Sequence, residues 1–204
     1  YGHAQGSHGN ALIACAAGGF LVAGASDDQA WLLRVDAQGR RLWETTVASG
    51  AFHAVVETAT GDLLATGEHG SNASILARLS PAGEIIWAVP SLGRPGRDLL
   101  TDGEGCVVLT GDRWPGRLVR WDGGGQELAH LAFDGVAGEL RALARAPGGG
   151  YRVFGEATEI AVTGDLQIAG QRGLPGEFAA HAVTADGGFV LTGSRERAGG
   201  WDDL

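Results

Sequence analysis

The chain contains no lysine and no methionine, and only two of its 204 residues are cysteine. Because methionine is absent, Tyr1 is not a translation start. We therefore expect a trimmed chain, and removal of an export signal would produce one. Cys15 and Cys106 occupy unlike positions in the repeat that runs through the chain, which gives no support for a disulfide, and we expect both to be small buried apolar residues. These absences favour an exported protein, periplasmic or extracellular.

A basic surface is also absent. The fifteen cations, all arginine, are outnumbered by 24 acids, so the net charge is −9. This argues against binding to nucleic acid, whose phosphates require a positive surface, and against adhesion to an anionic bilayer. No segment approaches the roughly 18 uninterrupted apolar residues of a membrane helix. We predict no membrane span and no nucleic-acid partner.

The sequence lacks the short motifs of common catalysts and cofactor sites. It has no G-x-S-x-G, no H-E-x-x-H, no phosphate-binding loop and no C-x-x-C. Its glycine-rich segments precede no helix, so they do not indicate a dinucleotide site. We therefore expect no cofactor and no haem. We also expect His53 and His69 to be ordinary polar side chains rather than metal ligands.

What the sequence has is a motif that returns five times. A short apolar strand between glycines recurs at intervals of roughly 40 residues. The copies are GGFLVAG at 18–24, GDLLATG at 61–67, GCVVLTG at 105–111, GGYRVFG at 149–155 and GGFVLTG at 187–193. A period of about 43 residues built from short strands is typical of one four-stranded propeller blade. The sequence predicts an all-β fold, a propeller of five such repeats.

The second half of the repeat supports the same prediction. Residues 31–43 match 75–87 position for position, 118–128 form a third copy, and the fourth copy at 160–168 is degenerate. Trp43 and Trp87 share one position, and we expect them to pack between repeats rather than to stack on a ligand.

These segments resemble a bacterial propeller repeat, akin to the repeats of pyrroloquinoline-quinone-like proteins and their tryptophan docking motif. The resemblance covers essentially the whole chain and implies architecture more than activity, because such repeats occur in enzymes, assembly factors and surface proteins. Quinone enzymes of this kind are larger, usually eight-bladed rings with a metal-bound cofactor. No matching site is found, so no quinone is expected.

We predict one domain over residues 1–204. Its repeats span about 10–48, 49–92, 93–134, 135–175, and 176–204 together with 1–9. Residues 1–10 align with 44–53, so we expect the N-terminal strand to complete the last repeat and close the ring. The alternative is a piece of a larger ring. A partner chain could then supply a strand at the open C-terminal edge.

Opposite charges are paired within the first hairpins of the second, third and fourth repeats. Fourteen residues before the closing glycines lie Asn10, His53, Arg97, Arg141 and Ala179; one residue after them lie Ala25, Glu68, Asp112, Glu156 and Ser194. A basic residue occurs only where an acid is expected to face it, which predicts cross-strand ion pairs around one mouth of the channel. Such pairs either lock the repeats together or form a polar funnel for a small anionic or sugar-like ligand. The candidate ligand-binding residues are His53, Glu68, Arg97, Asp112, Arg141 and Glu156.

The leading prediction for function is a non-catalytic binding or scaffold propeller, an accessory subunit that meets a protein partner or a small polar ligand. The alternative is a multivalent carbohydrate-binding propeller, in which Trp31, Trp114, Trp121 and Trp201 stack on sugars. A third reading is a lyase or hydrolase with an axial polar site. Because no nucleophile and base are found together, the sequence favours a protein that is not an enzyme.

Overall fold

The computed structural model describes residues 6–70, 73–91, 93–103, 105–111, 115–136, 138–174, 177–183 and 189–194. Over these ranges the chain is all-β, as predicted, and no helix is found, so none of them holds a helix able to cross a membrane. The strands are β1 (Ser7–Ala14), β2 (Phe20–Ser26), β3 (Gln29–Val35), β4 (Arg41–Glu57), β5 (Leu63–His69), β6 (Ala73–Leu79), β7 (Ile85–Ser91), β8 (Gly96–Asp102), β9 (Gly105–Thr110), β10 (Arg117–Trp121), β11 (Glu127–Ala132), β12 (Leu140–Arg145), β13 (Tyr151–Gly155), β14 (Thr158–Val162), β15 (Ile168–Gly173), β16 (Glu177–Val183) and β17 (Phe189–Ser194).

Consecutive strands pair antiparallel within four-stranded units. Unit 1 consists of β1, β2, β3 and the first half of β4; unit 2 of the second half of β4 with β5, β6 and β7. Unit 3 is β8 to β11 and unit 4 is β12 to β15. The hairpin β16–β17 follows as the described part of a fifth repeat. The period read from the sequence therefore matches the period of the structure.

Strand β4 is continuous through two units. Its first half pairs with β3, from Arg41 opposite Val35 to Ser49 opposite Gln29. Its second half pairs with β5, beginning with Gly50 opposite His69. A fourth strand that runs directly into the next first strand is what the sequence alignment predicts, and the structure confirms it. Units 1 and 2 consequently share one seven-stranded sheet.

The first strands of successive units are neighbours: β1 contacts β4, β4 contacts β8, β8 contacts β12, and β12 contacts β16. The apolar residues lie between the units. Leu21 and Leu32 of unit 1 pack with Phe52, Val55 and Leu63 of unit 2. Comparable clusters join unit 2 to unit 3 and unit 3 to unit 4. The core is therefore divided among face-to-face contacts of consecutive sheets, and the first strands are left around a common axis.

Tight turns close the third and fourth strands of each unit by local side-chain chemistry. In unit 1, Oδ1 of Asp36 accepts the N–H groups of Gln38 and Arg40, both at 2.9 Å. In unit 3, Oδ1 of Asp122 accepts those of Gly124 and Gln126. An aspartate that satisfies the backbone of its own turn is the reason for this residue before the glycines.

The two repeated tryptophans pack between units, as predicted. The indole Nε1–H of Trp43 donates to the carbonyl of Pro81 at 3.2 Å, and that of Trp87 donates to the carbonyl of Gly123 at 3.0 Å. A Cβ at Gly83 would come within 2.7 Å of the Trp43 ring. Glycine is thus required in the next turn because the tryptophan lies against its backbone. Cys15 and Cys106 are free and buried, also as predicted.

Candidate functional site

The five positions counted back from the closing glycines share one structural feature. In each first hairpin the register shifts by one residue, and the extra residue is the counted one. These bulge residues are Asn10, His53, Arg97, Arg141 and Ala179. A β-bulge re-aims a side chain out of the regular alternation of its strand. In units 1 to 4 the repeat therefore places a re-aimed side chain at the same end of the first strand.

The bulge also corrects the predicted pairing. We expect Glu68 to face His53, but Glu68 lies opposite Ala51, and Ala25 lies opposite His8 rather than Asn10. The extra residue moves the register by one position, so the acids after the closing glycines do not face the bulge residues directly.

Bulge residues from four consecutive units line one pocket. Asn10, His53, Arg97 and Arg141, together with Glu139, surround a cavity of about 420 Å³. We call it the mouth pocket. Its lining is polar in every unit that contributes to it. The prediction of a polar rim thus corresponds to a single cavity in the structure.

Two side chains of the mouth pocket reach the backbone of the next unit. Nδ2 of Asn10 donates to the carbonyl of Phe52 at 2.8 Å, and Nδ1 of His53 lies 3.0 Å from the carbonyl oxygen of Gly96. Phe52 and Gly96 each directly precede the bulge residue of their own strand. These contacts tie neighbouring first strands together at the mouth, and they hold the polar side chains in fixed positions.

The arginines are held by acids. Nη2 of Arg97 donates to Oε1 of Glu139 at 3.2 Å. The other oxygen of Glu139 is 2.7 Å from Nη2 of Arg141, which also lies 3.1 Å from Oε1 of Glu156. The predicted pair of Arg141 and Glu156 is therefore present.

The other predicted pairs have different outcomes. Among the described residues no ion pair joins His53 to Glu68, because Nδ1 of His53 is engaged by Gly96. Asp112, the predicted partner of Arg97, lies outside the described residues. Glu139 is the acid that sequence reasoning missed. It lies two residues before the bulge residue of unit 4, in the connection between units, and the count from the closing glycine does not reach it.

His53 is neutral in this setting. Burial lowers the pKa of its imidazole, and the positive charge of Arg97 acts in the same direction, while the contact with the Gly96 carbonyl opposes them. A carbonyl oxygen only accepts, so Nδ1 of His53 carries the hydrogen and Nε2 remains an acceptor. The lining of the mouth pocket thus offers two guanidinium groups and the carboxylate of Glu139, beside a neutral imidazole and an amide. Glu156 is a further acid in contact with Arg141. Such an array can hold a polar group by directed hydrogen bonds.

The tryptophans proposed for sugar stacking are not available as a set. Trp31 is 3% exposed and Trp121 is 9% exposed, and both lie in the packing between strands. Trp114 and Trp201 lie outside the described residues. Within the described part of the chain, no three His, Cys, Asp or Glu side chains gather as a metal site would require.

No protein-family model and no curated protein sequence matches the chain. Solved structures do. A protein of unknown function from Bacteroides caccae has a TM-score of 0.72 at 15% identity, over 96% of this chain and 74% of that chain. Virginiamycin B lyase from Staphylococcus aureus has a TM-score of 0.68 at 12% identity, over 91% and 70%. The WD40 domain of Pan2 from Neurospora crassa has a TM-score of 0.66 at 10% identity, over 93% and 61%.

WD40 domains are β-propellers, so these likenesses support the predicted fold: the chain is a β-propeller-type protein. At such low identity they show the fold alone, since one fold serves many functions. The number of repeats in the ring, the strand that closes it and the kinship with pyrroloquinoline-quinone-like repeats stay predictions.

Proposed function

We propose that the chain is a binding or scaffold propeller that recognises a polar group of a protein partner at the mouth pocket. The observation that carries the proposal is the convergence of bulge side chains from four units on one cavity of about 420 Å³. A bulge at one such site would be a local irregularity. A bulge repeated at every first hairpin gives the mouth a constant backbone frame, on which the side chain alone varies from unit to unit.

The chemistry of the pocket favours recognition over catalysis. Arg97 and Arg141 are each tied to Glu139, and Asn10 and His53 are each tied to a backbone carbonyl. Side chains fixed in this way lose little freedom when a partner binds, which improves affinity. The charges are nearly balanced, so the pocket suits a group that both donates and accepts hydrogen bonds, as an amide or hydroxyl side chain does.

The broad faces of propellers, where loops gather, are common binding surfaces. A WD40 domain is among the solved structures that are similar to this chain. A small polar ligand or a sugar is the alternative occupant of the same pocket. Export to the periplasm or the cell exterior, expected in the sequence analysis, is part of the proposal.

The experiment is affinity capture from the native source with the unaltered chain and with an Arg97→Gln, Arg141→Gln variant. We expect the captured partner to fall at least tenfold in the double variant, because two directed donors are lost at the centre of the contact. A variant at Arg41 and Arg172, also Gln, removes two arginines with exposed side chains. It serves as the charge-matched control and should capture the partner normally. Equal capture by all three proteins would remove the mouth pocket from the proposal.

A further inference from the structure

A second cavity lies at the opposite end of units 1 and 2, against a buried arginine. Arg34, Arg78 and Arg120 occupy the same position of the repeat in units 1, 2 and 3. Each lies two residues before the first residue of the turn that follows the third strand. Those turn residues, Asp36, Ser80 and Asp122, are equivalent because each donates its N–H to the residue four positions further on. The three arginines can therefore be compared directly within one chain.

In unit 2 the arginine has a carboxylate partner. Nε and Nη2 of Arg78 lie 2.9 and 2.7 Å from Oδ2 of Asp62. Nη1 of Arg78 donates at 2.8 Å to the carbonyl of Gly123, in the turn of the next unit. The guanidinium is thus neutralised within its own unit and also bridges to its neighbour.

Unit 3 repeats this arrangement with different residues. Nε of Arg120 is 3.0 Å from Oδ2 of Asp102, and Nη2 donates to the carbonyl of Gly164 in the next turn. The hydroxyl of Tyr151 also contacts this arginine, at 3.1 Å. A carboxylate and a turn carbonyl of the following unit are therefore the regular partners of the repeated arginine.

Arg34 departs from this pattern. It is only 7% exposed. Its Nη1 donates to the carbonyls of Phe20 at 3.2 Å and Val35 at 2.7 Å, and its Nη2 donates to the carbonyl of Gly18. All three acceptors belong to unit 1 and all are neutral. Among the described residues, no carboxylate lies within ion-pair distance of Arg34 and no acceptor contacts its Nε–H.

The position that carries Asp62 in unit 2 is Gly19 in unit 1. Gly19 has φ +71°, and a Cβ there would lie 2.2 Å from the carbonyl oxygen of Val35. No acidic side chain fits at this point, so unit 1 cannot neutralise Arg34 in the way that unit 2 neutralises Arg78. A buried cation without a counter-charge is unfavourable, and an external anion would relieve the cost.

Space for such an anion is present. Arg34 lines a cavity of about 580 Å³ together with Asp36, Leu42, Trp43 and Pro81, and we call it the Arg34 cleft. Pro81 is the counterpart of Gly123 and Gly164, but its carbonyl accepts from Trp43 rather than from Arg34. The hydrogen bond from arginine to turn carbonyl links unit 2 to unit 3 and unit 3 to unit 4. It is not made between units 1 and 2.

We propose that the Arg34 cleft binds a small monocarboxylate with an apolar body. The carboxylate would take the place at the guanidinium that Asp62 and Asp102 hold in the other units, since the planar fork of arginine suits it. The exposed side chain of Leu42 and the ring of Trp43 would contact the apolar body. The carboxylate of Asp36 lines the same cleft and is already held by Arg40 at 2.7 Å. Arg40 lines the cleft too and neutralises Asp36, so the lining carries one net positive charge, that of Arg34. A single net charge suits a ligand of single charge better than a dianion such as phosphate.

Isothermal titration calorimetry tests this with phenylacetate as the probe and neutral phenylacetamide as its matched control. We expect the unaltered chain to bind phenylacetate at least tenfold more tightly than the amide. Arg34→Gln should remove that preference, whereas Arg41→Gln, which makes the same change in net charge at an exposed site, should retain it.

Ala37→Trp keeps the buried guanidinium and fills the Arg34 cleft from its exposed rim, so it tests the site even if Arg34→Gln does not fold. We expect it to abolish binding of phenylacetate. Failure of the unaltered chain to bind phenylacetate would overturn the proposal. Equal affinity for acid and amide, or undiminished binding after Ala37→Trp, would overturn it as well. None of these outcomes bears on the mouth pocket, which lies at the other end of the strands.

Discussion

Oδ2 of Asp98 accepts a hydrogen bond from the backbone N–H of Leu143, in the first strand of the following unit, at 2.7 Å. Its other carboxylate oxygen accepts the N–H of Leu99 at 2.9 Å. Asp98 directly follows the bulge residue of its strand. The equivalent residues of units 1, 2 and 4 are alanine, at positions 11, 54 and 142. One carboxylate thus joins units 3 and 4 where the other units have a methyl group.

The pKa of Asp98 predicts a stability that falls as pH rises. Burial raises this pKa from 3.8 to about 7, although the two N–H donors oppose the shift. Between these values the folded chain keeps a proton that the unfolded chain has released, so the free energy of unfolding decreases up to about pH 7. One pKa unit corresponds to about 1.4 kcal/mol. Since Asp98 is partly accessible, we expect a total loss of about 2 kcal/mol.

Urea denaturation at pH 5 and pH 8 measures the larger part of this loss. In Asp98→Asn, which does not titrate, the decrease between the two values should disappear. Asp134→Asn, at an exposed acid, should keep it. A decrease that persists in Asp98→Asn would assign the pH dependence to other groups.

His53 predicts the opposite trend in acid. Its pKa is lowered from 6.5, chiefly by burial. As pH falls below 6.5 the unfolded chain takes up a proton that the folded state resists, so stability is lost toward low pH. We expect His53→Gln to reduce the loss between pH 7 and pH 5, whereas His130→Gln, at an exposed histidine, should not. Thermal melts across this range, each compared with the unaltered chain, provide the measurement.

Two positions that pack together in the earlier units, the tryptophan and the turn glycine of the next unit, both differ where unit 3 meets unit 4. We expect their effects on stability to be coupled. Ala129 stands at the position of Trp87, and Leu166 stands at the turn position of Gly125, with φ +60° and its side chain buried. Where the tryptophan is absent, the next turn tolerates a side chain. Ala129→Trp alone should destabilise the fold by about 1–3 kcal/mol, because the ring meets Leu166.

Adding Leu166→Gly should recover part of that loss, because it removes the side chain that the new ring meets. The ring can then pack on a glycine turn, as Trp43 and Trp87 do in the earlier units. The coupling between the two changes, measured in a urea double-mutant cycle, should exceed about 1 kcal/mol. Additive effects would mean that the two positions do not share the packing seen at Trp87 and Gly125.

The buried acid Glu159 and its exposed partner Arg172 should differ in what their removal costs. Its side chain is 4% exposed, and it receives Nη1 of Arg152 at 2.8 Å and Nε of Arg172 at 2.5 Å. Removing a buried acid leaves a charge unpaired, so Glu159→Gln should cost about 3 kcal/mol. Arg172 is 71% exposed, and Arg172→Gln should cost no more than about 1 kcal/mol. Comparable losses in equilibrium unfolding would contradict this order.

The strands could be predicted because their period is carried by glycines and short apolar segments, which act locally. Residues 75–79 are one such segment, and the structure places β6 at Ala73–Leu79. The packing of Trp43 and Trp87 could also be predicted, because both occupy the same position of the repeat. Each is followed, one repeat later, by an equivalent turn on which it can pack. Repetition within the chain supplied the comparison that a single sequence otherwise lacks.

The register of the first hairpins could not be predicted, because a bulge inserts one residue without a marker in the side-chain pattern. The fourteen-residue count still found the bulge residues, since every repeat contains the same insertion. Glu139 could not be found by that count, because its place depends on how a connection between units folds back. The lack of a carboxylate partner for Arg34 could not be predicted either. It becomes visible only when the structure shows that Gly19 occupies the position at which Asp62 pairs with the arginine of unit 2.

Strand β4 has a consequence for how the molecule opens. Its seventeen residues carry the outer hydrogen bonds of unit 1 and the inner hydrogen bonds of unit 2 without interruption. Neither unit can release this strand fully while the other keeps it in register. Units 1 and 2 should therefore exchange their amide hydrogens as one cooperative block, whereas units 3 and 4, joined by connections rather than by a shared strand, are free to open separately.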